Sequence, residues 1–466
     1  MDFLSSDDSY EEVSIFENHM GKVIAKYNFR QNRQGFTKEI YAVPNTFVML
    51  LKSALLPEGY PGSVSKDYLE YQIWDTIQAI ASSITGTLAG QAVLIGVGVG
   101  NASASVLAAT LTWMFKDGAG MVGRILFAAW GGIFADVLND LSLLLELLSV
   151  RIYYLFTPVV CFASVMRALV GMVGGATRAA ITQHQALANN MADVAAKDGS
   201  QETLSNLVAL AVNFLLITIV TGKPVLIWLV FALLTPLHLY ANWRAVRCLQ
   251  FDTLNRARFR ILIEDWLRKH DEMSDRLPPL LSVREVNHRE PIVYPSWGDS
   301  RGRTIHLGCS FETLTQMKDC KLQPLMGVYA KEKYILYSPE WKYSGYREYH
   351  LPIYICLHTD ADTMDIFKAL FHAEIVCALC YEGADCESFK QFWVGDDGIA
   401  FFAWTLGRAT FWMTRILKSF SEHNSRRGEA QWSLSSLQVD AKPWRIHRNL
   451  YRVAAPEEVS TSKKCA

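Results

Sequence analysis

TLSNLVALAVNFLLITIVTG (residues 203–222) and PVLIWLVFALLTPLHLYANW (residues 224–243) are two twenty-residue runs without a single Asp, Glu, Lys or Arg. A helix of roughly 20 apolar residues spans the hydrocarbon core of a bilayer. Between them lies Gly222-Lys223-Pro224, a glycine suited to ending one helix and a proline suited to starting the next. The pattern predicts a transmembrane hairpin, with a buried helical hairpin in a large soluble protein as the alternative. Arg244, Arg247, Arg256, Arg258 and Arg260 follow at once. A basic flank of this kind puts the exit of the chain on the cytoplasmic side.

Toward the amino terminus, Thr76 to Phe115 is a further stretch of about forty residues without formal charge. It is long enough for two passes, or for one pass and a re-entrant piece. Gly96 to Gly100 breaks it, and Asn101 or Ser103 is a ready cap for the next helix. Ser82, Ser83, Thr85, Gly86, Gly90 and Gln91 suit helix-on-helix packing better than lipid. Ala119 to Ser149 is apolar but carries Arg124, Asp136, Asn139, Asp140 and Glu146, and Ile152 to Met166 is uncharged. The turn-rich segment from Leu56 to Ser65 precedes a short helix that Ser65 is placed to cap. Residues 1–45 are polar, with short alternating runs that predict a small strand or hairpin.

Beyond residue 250 the character changes. Asp252 to Arg276 reads as a charged amphipathic helix, and Pro278, Pro279, Pro291 and Pro295 mark a linker. Strand-like runs at Lys333–Tyr337 and Leu351–Cys356 then alternate with helical patterns at Asp362–Tyr381 and Phe402–His423, an α+β arrangement. The expected fold is a mainly α-helical membrane bundle followed by a smaller soluble α+β domain. Its divisions are 1–45, a polar segment; 46–260, the helical membrane domain; 261–302, a linker; and 303–466, a cytosolic α+β domain.

The net charge of −1 gives no electrostatic reason to expect nucleic acid as a partner. The nine cysteines form no disulfide-like framework, and the chain reads as reduced and intracellular. The acidic start (Asp2, Asp7, Asp8, Glu11, Glu12) lacks the pattern of a signal or transit peptide, so internal helices are expected to direct insertion. Gly96, Gly98 and Gly100 do not follow a strand, against a nucleotide fingerprint. Cys377 and Cys380 read as buried thiols rather than zinc ligands.

Charges within an apolar helix need a partner or a wet cavity. Asp136 and Asp140 share a helix face with Asn139 beside them. With Arg124 and Arg178 they form a candidate site for a cation, a proton or the amine of a small substrate. A structural salt bridge to Arg124, Arg151 or Arg167 is the competing account. Lys116-Asp117-Gly118 has an echo in Lys197-Asp198-Gly199, either paired elements of a repeat-built bundle or ordinary cap-and-turn chemistry. Gly174 to Gln185 suits an anion site at a helix start, or a solvated loop between two helices. No cofactor is required, and no catalytic constellation is visible. Pyridoxal phosphate would need a lysine such as Lys116 or Lys197 in a dry pocket.

The blocks from Leu56 to Tyr68, Tyr71 to Asp75, Lys116 to Arg124, Phe134 to Asp140, Gly174 to Ala180, Asn189 to Asp193 and Ala196 to Thr203 resemble the Root UVB Sensitive family over roughly residues 45–260. One departure is a short connection, Ala128 to Ile133, where the family usually has a longer polar insertion. The resemblance implies a link to ultraviolet-B responses and vitamin B6 homeostasis, as for its plant members, in a membrane protein. The family defines no catalytic residues, so none carries over. The function expected is a non-enzymatic membrane protein that binds or moves a small polar metabolite connected with vitamin B6. The alternative is a membrane-anchored scaffold whose C-terminal domain recruits homologous or other protein partners. Membrane lipid is the expected surrounding in both.

Overall fold

The computed structural model describes residues 12–19, 22–30, 36–40, 46–99, 106–127, 135–271, 274–291, 303–317, 320–341, 351–382, 392, 398–426, 430–439 and 441–447. The chain divides into two units, Met1–Leu249 and Gln250–Ala466. The boundary falls earlier than the linker read from the prolines, because residues 254–286 contribute to the core of the second unit.

In the first unit, strands β1 (Glu12–His19), β2 (Lys22–Arg30) and β3 (Phe36–Ile40) form an antiparallel meander. Where a small strand or hairpin is expected, the described residues of the amino-terminal segment form a three-stranded sheet. The helices follow as α1 (Thr46–Leu55), α2 (Tyr68–Gly96), α3 (Val106–Phe127), α4 (Ala135–Ser149), α5 (Phe156–Gln185), α6 (Met191–Val220) and α7 (Pro224–Cys248). Helices α2, α5, α6 and α7 are long and apolar enough to cross a membrane.

The α6–α7 junction lies where the runs predict it, at Gly222 with φ +77° and Pro224 at the helix start. The two helices do not make a hairpin with its own interface, however. Both pack chiefly on α2 and only sparingly on each other, while α3 and α4 pack on α5. Ala89 and Ala92 of α2, Leu143 and Leu147 of α4 and Phe231 of α7 form one buried cluster. Helix α2 ends at Gly96, where the start of α5 lies so close that only glycine fits: a Cβ there would lie 2.1 Å from the Phe156 ring.

Three local expectations change. Helix α2 is a long central helix, not a short one, and Ser65 donates to the Asp67 carboxylate instead of capping the backbone. Gly174 to Gln185 is neither a helix start nor a loop but the carboxy-terminal half of α5. Lys116-Asp117-Gly118 sits inside α3 and Lys197-Asp198-Gly199 inside α6, so neither is a cap or a turn. The short connection at 128–133 and the caps Asn101 and Ser103 lie outside the described residues.

The second unit contains β4 (Thr253–Asn255), α8 (Arg256–Lys269), α9 (Val283–Arg289), β5 (Arg303–Leu307), α10 (Phe311–Thr315), α11 (Leu322–Val328), β6 (Tyr334–Tyr337), β7 (Leu351–Leu357), α12 (Thr363–Glu382), α13 (Gly398–Asn424) and β8 (Ser433–Gln438). β7 is the middle strand of a sheet, parallel to β5 and antiparallel to β6, and β4 pairs with β8. Asn255 caps α8 by accepting from Arg258 N–H at 2.8 Å, and Ser282 and Glu285 form a capping box on α9. Phe259, Leu262, Ile263 and Trp266 of α8 are buried against α12 and α13. Trp266 Nε1–H donates to Ser419 Oγ at 3.1 Å, so the indole meets its polar need inside the core. Gly308 turns at φ +70°, where a Cβ would lie 2.3 Å from the Lys442 carbonyl oxygen. Cys377 and Cys380 are buried thiols.

Candidate functional site

Helix α2 carries Gln72, Asp75, Gln78 and Ser82 at intervals of three and four, which puts them on one face. That face meets two polar groups inside the first unit.

The upper group joins α2, α4 and α7. His238 Nδ1 lies 2.9 and 3.0 Å from the two carboxylate oxygens of Asp140, and both side chains are buried. Gln78 Nε2 is 3.3 Å from Asp136 Oδ1 and 3.4 Å from His238 Nε2. Asn242, one turn beyond His238 on α7, donates to the other oxygen of Asp136. Asn139 Nδ2–H donates to Ser82 Oγ at 3.4 Å. Asp136, Asn139 and Asp140 thus act together, as their spacing on α4 implies. Their partners are a histidine, two amides and the Ser82 hydroxyl, and Arg167 pairs with Glu146 instead.

The second group joins α2, α5 and α6. Arg178 Nε lies 2.9 Å from Asp198 Oδ2, and its Nη1 lies 2.6 Å from Glu202. Gln72 Nε2–H donates to Asp198 Oδ1 at 3.2 Å. Nearby, His184 lies 2.9 Å from the buried Asp67. The segment after α1 is tied to α6: Asp193 accepts from Glu58 N–H at 2.7 Å, and Gln201 donates to Leu55 O at 2.5 Å and to Tyr68 Oη at 3.0 Å. Ser65 N–H also donates to Gln185 O at 3.0 Å. Blocks more than a hundred residues apart in sequence therefore meet in one place.

The predicted set does not gather into a single cluster. Arg178 belongs with Asp198, while Asp136, Asn139 and Asp140 belong with His238. Lys116 lies 3.6 Å from the buried Glu146 and over the Trp113 ring at 4.6 Å. Asp117 is exposed. Lys197 donates to Ser53 O at 2.7 Å and lies 3.7 Å from Asp193. The side chain of Arg124 lies outside the described residues. Sequence reasoning missed Gln72, Gln78, His238 and Asn242. The available signal was their spacing: His238 and Asn242 one turn apart in an uncharged run, and Gln72, Asp75 and Gln78 at steps of three.

Long apolar helices packed around polar groups that are part buried and part half-buried define a helical bundle with a polar seam. Residues 43–270 match the family described as Vitamin B6 photo-protection and homoeostasis domain, and residues 279–448 match Root UVB sensitive protein, C-terminal. Protein root UVB sensitive 3 of Arabidopsis thaliana is 35% identical over 364 residues, which is 73% of this chain and 78% of that protein. RUS family member 1 of Dictyostelium discoideum is 38% identical over 288 residues, 58% of this chain and 54% of that protein, so the match spans about half its length. Protein root UVB sensitive 6 of Arabidopsis thaliana is 31% identical over 346 residues, covering 72% of this chain and 65% of its own length. The chain belongs to the Root UVB Sensitive family. No solved structure matches it.

Proposed function

We propose that this chain is an integral membrane protein that binds, and moves across the bilayer, a small polar metabolite connected with vitamin B6. The observation that carries this reading is the polar seam of buried Asp140 and His238 with half-buried Gln78, Asp136 and Asn242, set among helices that expose large apolar side chains. Phe214 of α6 is 77% exposed and Leu233 of α7 is 72% exposed. Contiguous apolar exposure on this scale is unusual for a surface facing water and natural for one facing lipid. Ionisable groups at that depth are costly unless they serve a pathway or a ligand. The family description supplies the link to vitamin B6.

Carboxylates that accept hydrogen bonds from amides suit a ligand rich in hydroxyl, amine or pyridinium N–H donors. The second unit, with its own core, serves in this reading as a cytosolic domain. As a recruiter of protein partners it is the scaffold alternative, which its exposed Phe411 and Trp444 favour.

Purified protein in sealed liposomes is the test. Radiolabelled pyridoxine and pyridoxal should accumulate above empty liposomes, and unlabelled vitamer should compete. Protein that resists carbonate extraction yet shows neither uptake nor binding favours the scaffold. Release of the chain by carbonate overturns the membrane placement itself.

A further inference from the structure

The hydrogen-bond partners of His238 bear on which of its ring nitrogens donates. Gln78 Nε2 lies within reach of both Asp136 Oδ1 and His238 Nε2. An amide nitrogen only donates, so the Nε2 of His238 must accept, and its one proton sits on Nδ1 facing Asp140. Turning the Gln78 amide over would bring its oxygen against the Asp136 carboxylate, a repulsive contact, so this assignment is the consistent one. His238 here is a neutral imidazole poised between a carboxylate and an amide donor.

The geometry points to His238 as a proton-binding site whose loading is passed through Gln78 to Asp136. A proton arriving from water binds Nε2 and gives an imidazolium that donates from both nitrogens, its charge met by Asp140. Gln78 then faces a donor where it had an acceptor. Its amide must turn over or withdraw, and either movement removes its N–H from Asp136. Asp136 keeps Asn242; if the amide turns over, its oxygen faces Asp136 Oδ1 and favours a proton there, and if it withdraws, Oδ1 is open to a donor group of a ligand. One proton bound on α7 thus changes the availability of a carboxylate on α4, with a residue of α2 as the link. The titratable groups that α4 and α2 present here are Asp136, Asp140 and Asp75. Among the described residues, α6 adds none to the hydrogen bonds of His238.

This inference shares with the proposed function only the placement of the seam inside the bundle, and it concerns a proton rather than the metabolite. Infrared difference spectra of the full-length protein in lipid nanodiscs, recorded across a pH step with no metabolite present, test it. Wild type should show imidazole protonation, identified by ring-¹⁵N histidine labelling, together with a carboxylate band that disappears in Asp136→Asn. In Gln78→Leu the imidazole signal should remain and the Asp136 band should lose its pH response. The chain has eleven histidines, so the imidazole signal is assigned to His238 by its loss in His238→Gln. The idea is overturned if His238→Gln leaves the wild-type imidazole signal unchanged. It is equally overturned if the Asp136 band responds unchanged in Gln78→Leu. Failure of vitamer uptake, measured separately, leaves both readouts standing.

Discussion

Arg178 and Asp198, twenty positions apart, join α5 to α6 through a 2.9 Å contact, with Glu202 on the exposed side of the guanidinium and Gln72 on the buried side of the carboxylate. The two residues differ in burial: the Arg178 side chain is 46% exposed and that of Asp198 is 9% exposed. Removing each should therefore have unequal effects. Arg178→Ala leaves the mostly buried Asp198 carboxylate without its cation, and a buried charge that loses its partner costs about 3–5 kcal/mol. Asp198→Ala leaves a half-exposed guanidinium that keeps Glu202, and a buried Gln72 without its acceptor, at about 1–3 kcal/mol. Thermal melting of the detergent-solubilised protein should rank Arg178→Ala below Asp198→Ala. Equal losses would mean that Arg178 does not hold the buried carboxylate.

The second unit begins at Gln250, and its stability depends on α8. Phe259, Leu262, Ile263 and Trp266 are each no more than 2% exposed. Burying each such side chain contributes about 1.5–3 kcal/mol, so the four together rival the whole stability of an ordinary domain. A fragment from Gln250 onward should be soluble and unfold cooperatively in a calorimeter. One starting at Arg303, the boundary that the prolines alone indicate, should be insoluble or unfolded. Cooperative unfolding of the shorter fragment would contradict the assignment of α8 to this core.

Acid should destabilise that unit earlier than its carboxylates alone require. Burial lowers the His372 imidazole to about 3, and burial with Arg415 nearby lowers His270 to about 4. His372 is held neutral by Tyr334 Oη at 3.2 Å and Thr405 Oγ1 at 2.9 Å. In the unfolded chain both histidines protonate near 6.5. Between that value and the folded ones the unfolded state binds more protons, so stability falls as pH drops through this window and is level above it. For His372 the slope approaches about 1.4 kcal/mol per pH unit. Denaturant midpoints of the Gln250 fragment between pH about 4 and 7.5 should show the decline, and His372→Gln should flatten it. A midpoint unchanged down to pH about 4 would contradict a neutral buried His372.

The contrast between what the sequence announces and what it conceals follows from range. The apolar runs at 203–222 and 224–243 are local, and α6 and α7 fall where they indicate. Strands β6 and β7 and helices α12 and α13 follow from equally local periodicity. Gly174-Gly175 and the polar residues after them look like a break, but α5 runs unbroken through them to Gln185. Lys197-Asp198-Gly199 looks like a cap, yet Asp198 is turned inward by Arg178 and Gln72, partners on other helices. The grouping of Asp136 with Asp140 was legible because one helix turn separates them. The pairing of Asp140 with His238 was not, because the two lie 98 positions apart and a lone histidine carries no local sign of its partner.

The central claim is that the seam between α2, α4 and α7 is a working site rather than a structural ion-pair network. Asp136→Asn separates the two directly. The amide matches the carboxylate in size and can still accept from Asn242, so the fold should survive, while the charge offered to a ligand is gone. The measurement is complementation of cells lacking the protein, with steady-state abundance and carbonate-resistant membrane insertion recorded in the same lines. The account predicts abundance within about twofold of wild type, normal insertion and lost complementation. Full complementation at normal abundance would contradict it. Collapse of abundance, recovered by a second substitution that restores hydrogen-bond balance at Asn242, would contradict it in favour of the structural network.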